Sequence, residues 1–93
     1  MIVKWHRQTR QDLWQVRVYI AKENPKAAAR VAGRILQAVG RLSENPWIGR
    51  PDRVIDTREL TISGTPYLIP YTVAGDAAAI LRVLHGARQW PGL

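Results

Sequence analysis

The stretch RVLHGARQWP, Arg82 to Pro91, places a histidine, two arginines and a tryptophan at the end of an apolar run. An imidazole titrates near neutral pH and can move a proton in either direction. Guanidinium groups grip phosphate and carboxylate at two points and steady developing negative charge. With Arg58 in the upstream segment TREL, the residues Arg82, His85 and Arg88 make a candidate catalytic set for acid–base chemistry without a metal. Each also has a plainer reading. His85 shares strand parity with Leu81 and Val83 and can close a core face. Arg82 falls on the opposite face with Ile80 and Leu84, where it can pair or snorkel. Arg58, followed by Glu59, can end a sheet in an ion pair, and Arg88 can pair with Glu59 or Asp76.

A second set of residues suits binding. Lys26, Arg30, Arg34 and Arg41 recur at helical spacing, and no acidic residue lies between Lys26 and Leu42. A surface of one sign departs from the usual mixed charge and suits an acidic partner, although a solvated outer face has the same pattern. Four tryptophans in 93 residues is a high count, and Trp14, Trp47 and Trp90 fall outside the apolar periodicity. Large aromatics in such places anchor interfaces or cap the ends of a small core.

Elements must hold these residues, and composition limits what they can be. A chain of 93 residues makes a single domain, 1–93, and 46% hydrophobic residues suffice for a core. Without cysteine there is no disulfide or thiolate metal site; we expect no metal and no cofactor. The net charge of +7, with eleven arginines among fourteen basic residues, directs attention to nucleic acid, a ribonucleoprotein or an acidic protein. No apolar run approaches the roughly 18–20 residues of a membrane span. The expectation is a soluble, cytoplasmic protein.

MIVKWH alternates as a short strand. Thr9 is the expected N-cap of a first helix, with Asp12 three residues on, and Leu13, Val16 and Ile20 mark its apolar stripe to about Glu23. Asn24 and Pro25 open a second helix whose apolar stripe is Ala28, Val31, Ile35, Val39 and Leu42. It stops near SENP. The short junction at Asn24 predicts an antiparallel helical hairpin. WIGRPDR reads as a loop. Three strands follow: VIDTRELTI, YLIPYTV and AAAILRVLHG, joined by turns at SGTP and AGD. Pro70 lacks a donor, so its position faces an edge or a bulge. The fold class is therefore α+β. An N-terminal strand precedes a helical hairpin packed on a C-terminal three-stranded antiparallel meander, giving two layers.

This order of elements, together with NPKAA, NPWIGRP, TREL, GTPYLIPY and LRVLHGARQWP, resembles the RelE/ParE superfamily, toxins of bacterial type II toxin–antitoxin modules. The resemblance covers nearly the whole chain. It implies a partner antitoxin with a flexible acidic segment, a hetero-oligomeric complex, and one of two targets. ParE-like members poison DNA gyrase by binding. RelE-like members enter the ribosome and cut messenger RNA through its 2′-hydroxyl, using basic residues and often a tyrosine. Ribosome-dependent members carry a pattern like Tyr-Arg-Leu-Val-Tyr in the third strand; here the stretch is YLIPY, with Leu68 in the arginine's place. Trp90 stands where a tyrosine would follow Arg88. Both departures favour ParE-like action on gyrase, with a ribosome-dependent endoribonuclease as the alternative.

Overall fold

The computed structural model describes residues 1–86; Arg88 and Trp90 lie outside the described residues. Strand β1 (Ile2–Trp5) leads into helices α1 (Arg7–Ala21) and α2 (Pro25–Arg41). Strands β2 (Arg50–Pro51), β3 (Thr57–Thr61), β4 (Tyr67–Ala74), β5 (Ala77–Ile80) and β6 (Leu84–His85) follow. The sheet order is β1-β5-β4-β3-β2, with β6 also pairing β4. The meander is antiparallel, and β1 adds to its edge in parallel with β5, Ile2 opposite Ala77 and Trp5 opposite Ile80. The expected α+β two-layer arrangement is present, with an extra edge strand, β2, in the segment read as a loop.

Helix α2 supplies the core. Asn24 caps it, its side chain accepting the Ala27 N–H at 3.1 Å, and Pro25 takes the first turn, where no donor is needed. Val31, Ile35, Val39 and Leu42 then bury against Ile62, Tyr67, Ile69, Tyr71, Ala78, Ile80 and Val83 of the sheet. Helix α1 lays Leu13, Val16 and Ile20 along the margin of the same core. Among the described residues no helix is long and apolar enough to cross a membrane.

Three sequence expectations are corrected. First, Thr9 does not cap α1. His6 occupies that position without a side-chain bond, and Thr9 is fully buried within the first turn of the helix. Second, β3 begins at Thr57, because the chain from Asp52 to Thr57 closes a turn: Asp52 N–H donates to Thr57 C=O, and Thr57 N–H to Val54 C=O. Asp56 there has φ of 65°, in the left-handed region that aspartate tolerates better than most residues.

Third, the last strand is broken. Ile80 pairs with Tyr71 and Leu84 with Leu68, so Leu81, Arg82 and Val83 stand opposite only Ile69 and Pro70. Two residues facing three is a bulge. Pro70 accounts for its position. Its C=O accepts the Leu81 N–H at 2.9 Å, so its missing N–H falls on that same side of β4. The ladder lacks a donor there, and the opposing strand is free to buckle.

Candidate functional site

The bulge is held from α1. The Thr9 hydroxyl lies 2.8 Å from Ile80 C=O and 3.0 Å from Leu81 C=O. Asp12, nearly buried, accepts Val83 N–H at 3.0 Å through Oδ2. Arg82 meets the same carboxylate at two points: Nε to Oδ2 at 2.7 Å and Nη2 to Oδ1 at 3.1 Å. Gln8 donates a further bond to Oδ1. Burial by itself pushes the Asp12 carboxyl up, but the hydrogen bonds from Arg82, Val83 and Gln8 and the Arg82 charge together hold it below the usual carboxylate range. The ion pair raises Arg82 correspondingly. Thr9 and Asp12, spaced for a helix cap, instead serve the sheet seventy or more residues away.

The bulge also decides where His85 goes. Three residues in the space of two reverse the strand parity, so His85, opposite Tyr67, lies on the same helix-facing side of the sheet as Ile80, opposite Tyr71, and stands exposed at the end of that side. His85 thus ends the core-facing side, as its plainer reading has it, but exposed at the margin rather than buried. Its ring meets Tyr67 edge-on, with centroids 5.6 Å apart and planes at 80°. Asp12, Gln15, Val16 and Tyr19 from α1 face Tyr67 and the segment Arg82–His85 across a cleft of about 300 Å³. Burial first, and the nearby Tyr19 phenol second, raise the Tyr67 hydroxyl.

Arg58 stands elsewhere. It pairs in register with Tyr71 on β4, whereas His85 pairs with Tyr67. Four residue steps along a strand separate those positions, about 13 Å. The Arg58 guanidinium donates to Gly49 C=O at 2.6 Å and Trp47 C=O at 3.3 Å, and it lies 4.9 Å from the centre of the Trp47 ring. Arg58 thus forms no ion pair with Glu59, the residue that follows it, which instead pairs with Arg50 at 2.8 Å. Tyr71 fastens the same loop from below. Its hydroxyl accepts the Gly49 N–H at 2.9 Å and donates to Pro46 C=O at 2.8 Å. Burial pushes this phenol up, while the Gly49 bond and the Arg58 charge pull the other way. The NPWIGRP segment is therefore a braced loop that holds Trp47 at 60% exposure.

The residues singled out for binding divide in the same way. Trp14 is 66% exposed and lines an apolar groove on the hairpin with Trp5, Leu13, Ala32 and Leu36. Arg10 and Arg17, which sequence reasoning missed, also line this groove. Their spacing from Trp14, at i−4 and i+3, was the available signal. Lys26, Arg30 and Arg41 are exposed along α2. Arg34 instead reaches the β3–β4 turn, donating to Ser63 C=O at 3.0 Å. Gly64, at φ of 75°, lies against its guanidinium; a Cβ there would displace the arginine tip and strain the backbone.

Residues 3–90 match the family described as the ParE toxin of the type II toxin–antitoxin system parDE. The protein Y4kP of Sinorhizobium fredii is 44% identical over 89 residues, covering 96% of this chain and 92% of its own. Toxin RelE2 of Caulobacter vibrioides is 38% identical over 86 residues, covering 92% and 96%. Among solved structures, the chromosomal ParDE system from P. aeruginosa superposes with a TM-score of 0.80 at 30% identity, over 89% of this chain and 92% of that one.

Proposed function

This chain belongs to the ParE toxin family of type II toxin–antitoxin systems, and from that premise we propose that it arrests growth by binding DNA gyrase, as a toxin without nuclease activity of its own. The observation that carries this reading is the dispersal of the basic candidates. Metal-free RNA cleavage needs a base, an acid and a cation around one phosphate. Arg58 is spent on the Trp47–Gly49 loop, Arg82 on Asp12, and Arg58 and His85 stand at opposite ends of one stretch of β4. Leu68, in the place of the expected arginine, pairs with Thr61 and Leu84 in the sheet.

The cognate antitoxin seats its acidic segment over the helical hairpin. Trp14 and Leu36 offer apolar anchors, and Arg10, Arg17, Lys26, Arg30 and Arg41 supply the opposite charge. The braced Trp47 then remains available on the far edge of the sheet. The ribosome-directed reading keeps one observation in its favour: His85 is exposed beside Arg82 and Tyr67. Pulsed expression without antitoxin tests the choice. Thymidine incorporation falling before methionine incorporation supports gyrase; the reverse order overturns it.

A further inference from the structure

The cleft between α1 and the bulged strand is walled by aromatic rings and polar groups together, and it shares no lining residue with the hairpin groove assigned to the antitoxin. Tyr19, Tyr67 and His85 contribute rings. Val16 and Leu84 give an apolar floor, and Gln15 and the two phenols contribute hydrogen-bonding tips. The charge inside is already balanced, because Asp12 and Arg82 neutralise one another. A site of this composition favours a flat, polar, uncharged ring over an isolated ion. Its volume of about 300 Å³ lies at the small end of the range for small-molecule sites, too small for a helix or a strand of nucleic acid. The mouth opens into the field of a chain carrying +7, which favours an anionic substituent left outside the cleft.

We infer that this cleft binds a single nucleoside monophosphate, its base among Tyr19, Tyr67 and His85 and its phosphate outside the mouth, in the positive field of the chain. Base–aromatic stacking is available to every base, because each has a π-face, and is strong enough to make one planar ring the main determinant. Tyr19 is the residue to test, because it is 72% exposed and carries no core packing. The inference does not depend on the gyrase reading, since binding is measured on the isolated toxin.

The experiment is a titration of the full-length protein, followed by the ring signals of Tyr19, Tyr67 and His85, with AMP, GMP, adenosine and inorganic phosphate as separate probes. The expected result is saturable binding of AMP or GMP, with adenosine within about tenfold and phosphate alone at least tenfold weaker. Tyr19→Ala weakens AMP binding at least tenfold, Tyr67→Phe leaves the ring in place and weakens it less, and Trp14→Ala on the separate groove leaves it unchanged. Three results overturn the inference: no saturable binding of either nucleotide, phosphate competing as well as AMP, or Tyr19→Ala without effect. A circular dichroism spectrum of Tyr19→Ala matching that of the parent protein ensures that the loss reports on the cleft.

Discussion

Asp12 and Arg82 meet in a two-point ion pair, Nε to Oδ2 at 2.7 Å and Nη2 to Oδ1 at 3.1 Å, across seventy residues of chain. The carboxylate also takes the Val83 N–H, so one side chain holds the bulge by its backbone and by its arginine at once. Removing one member of a buried pair strands the other, which typically costs 3–5 kcal/mol; Arg82 is partly open to water, so less is expected here. Asp12→Ala should therefore lower unfolding free energy by about 2–4 kcal/mol in urea. Asp12→Asn, which keeps one acceptor oxygen, should lose less. A change under about 0.5 kcal/mol for Asp12→Ala would place the bulge's stability elsewhere.

The same pair predicts an acid dependence. The folded-state carboxyl of Asp12 lies below its unfolded value of ~3.9. A depressed carboxyl contributes stability that is fully present above the unfolded value and is lost as pH falls through the folded one. The stability difference between the parent and Asp12→Asn should hold constant above about pH 5 and shrink progressively below about pH 4. Urea midpoints across that range measure it, and a difference that does not change with pH would contradict the assignment.

The Tyr71 hydroxyl braces the 46–49 loop from the core. Tyr71→Phe leaves the Gly49 N–H and the Pro46 C=O without this partner, a loss of about 1–3 kcal/mol. Gly49→Ala should be worse, because the new Cβ would lie 2.6 Å from the Tyr71 ring and 2.8 Å from the Glu59 carbonyl, and backbone cannot yield as a side chain does. Thermal melts of the two variants should rank them in that order.

Under the gyrase reading, His85 and Arg58 do not share a reaction. His85→Ala should keep its toxicity when expressed without antitoxin, with translation continuing through the first minutes of arrest. If His85→Ala abolishes toxicity while the protein remains folded, the nuclease alternative gains and the cleft mouth becomes the place to seek a reacting phosphate.

The hairpin groove gives a separate outcome for the antitoxin. Trp14→Ala should weaken the complex by about 2 kcal/mol, as truncation of an aromatic anchor does. Reversing Arg10 and Arg17 to glutamate should weaken it further and flatten its dependence on salt. Calorimetry with the cognate antitoxin at two ionic strengths reads both effects.

Much of this architecture is written locally in the chain. Asn24 and Pro25 open α2, and its stripe from Ala28 to Leu42 faces the core. Gly75, at φ of 60°, turns the β4–β5 hairpin where AGD predicts it. These features were legible because helix caps, apolar periods and tight turns depend on neighbours within a few residues. The ordered motifs carried the family for the same reason.

What only the tertiary structure decided lies where local period and long-range contact disagree. Thr9 and Asp12 have the spacing of a helix cap, yet they bind Ile80, Leu81, Arg82 and Val83. His85 has the opposite parity to buried Ile80, yet one extra residue in the bulge brings it round to the same face, beside Tyr67. Arg58 and His85 are candidates for one site by residue type, yet register along β4 separates them. Strand parity has a period of two, so a single inserted residue inverts every position beyond it. The cause of that insertion, a proline without a donor on the neighbouring strand, acts through a pairing that the sequence of the bulged strand does not contain.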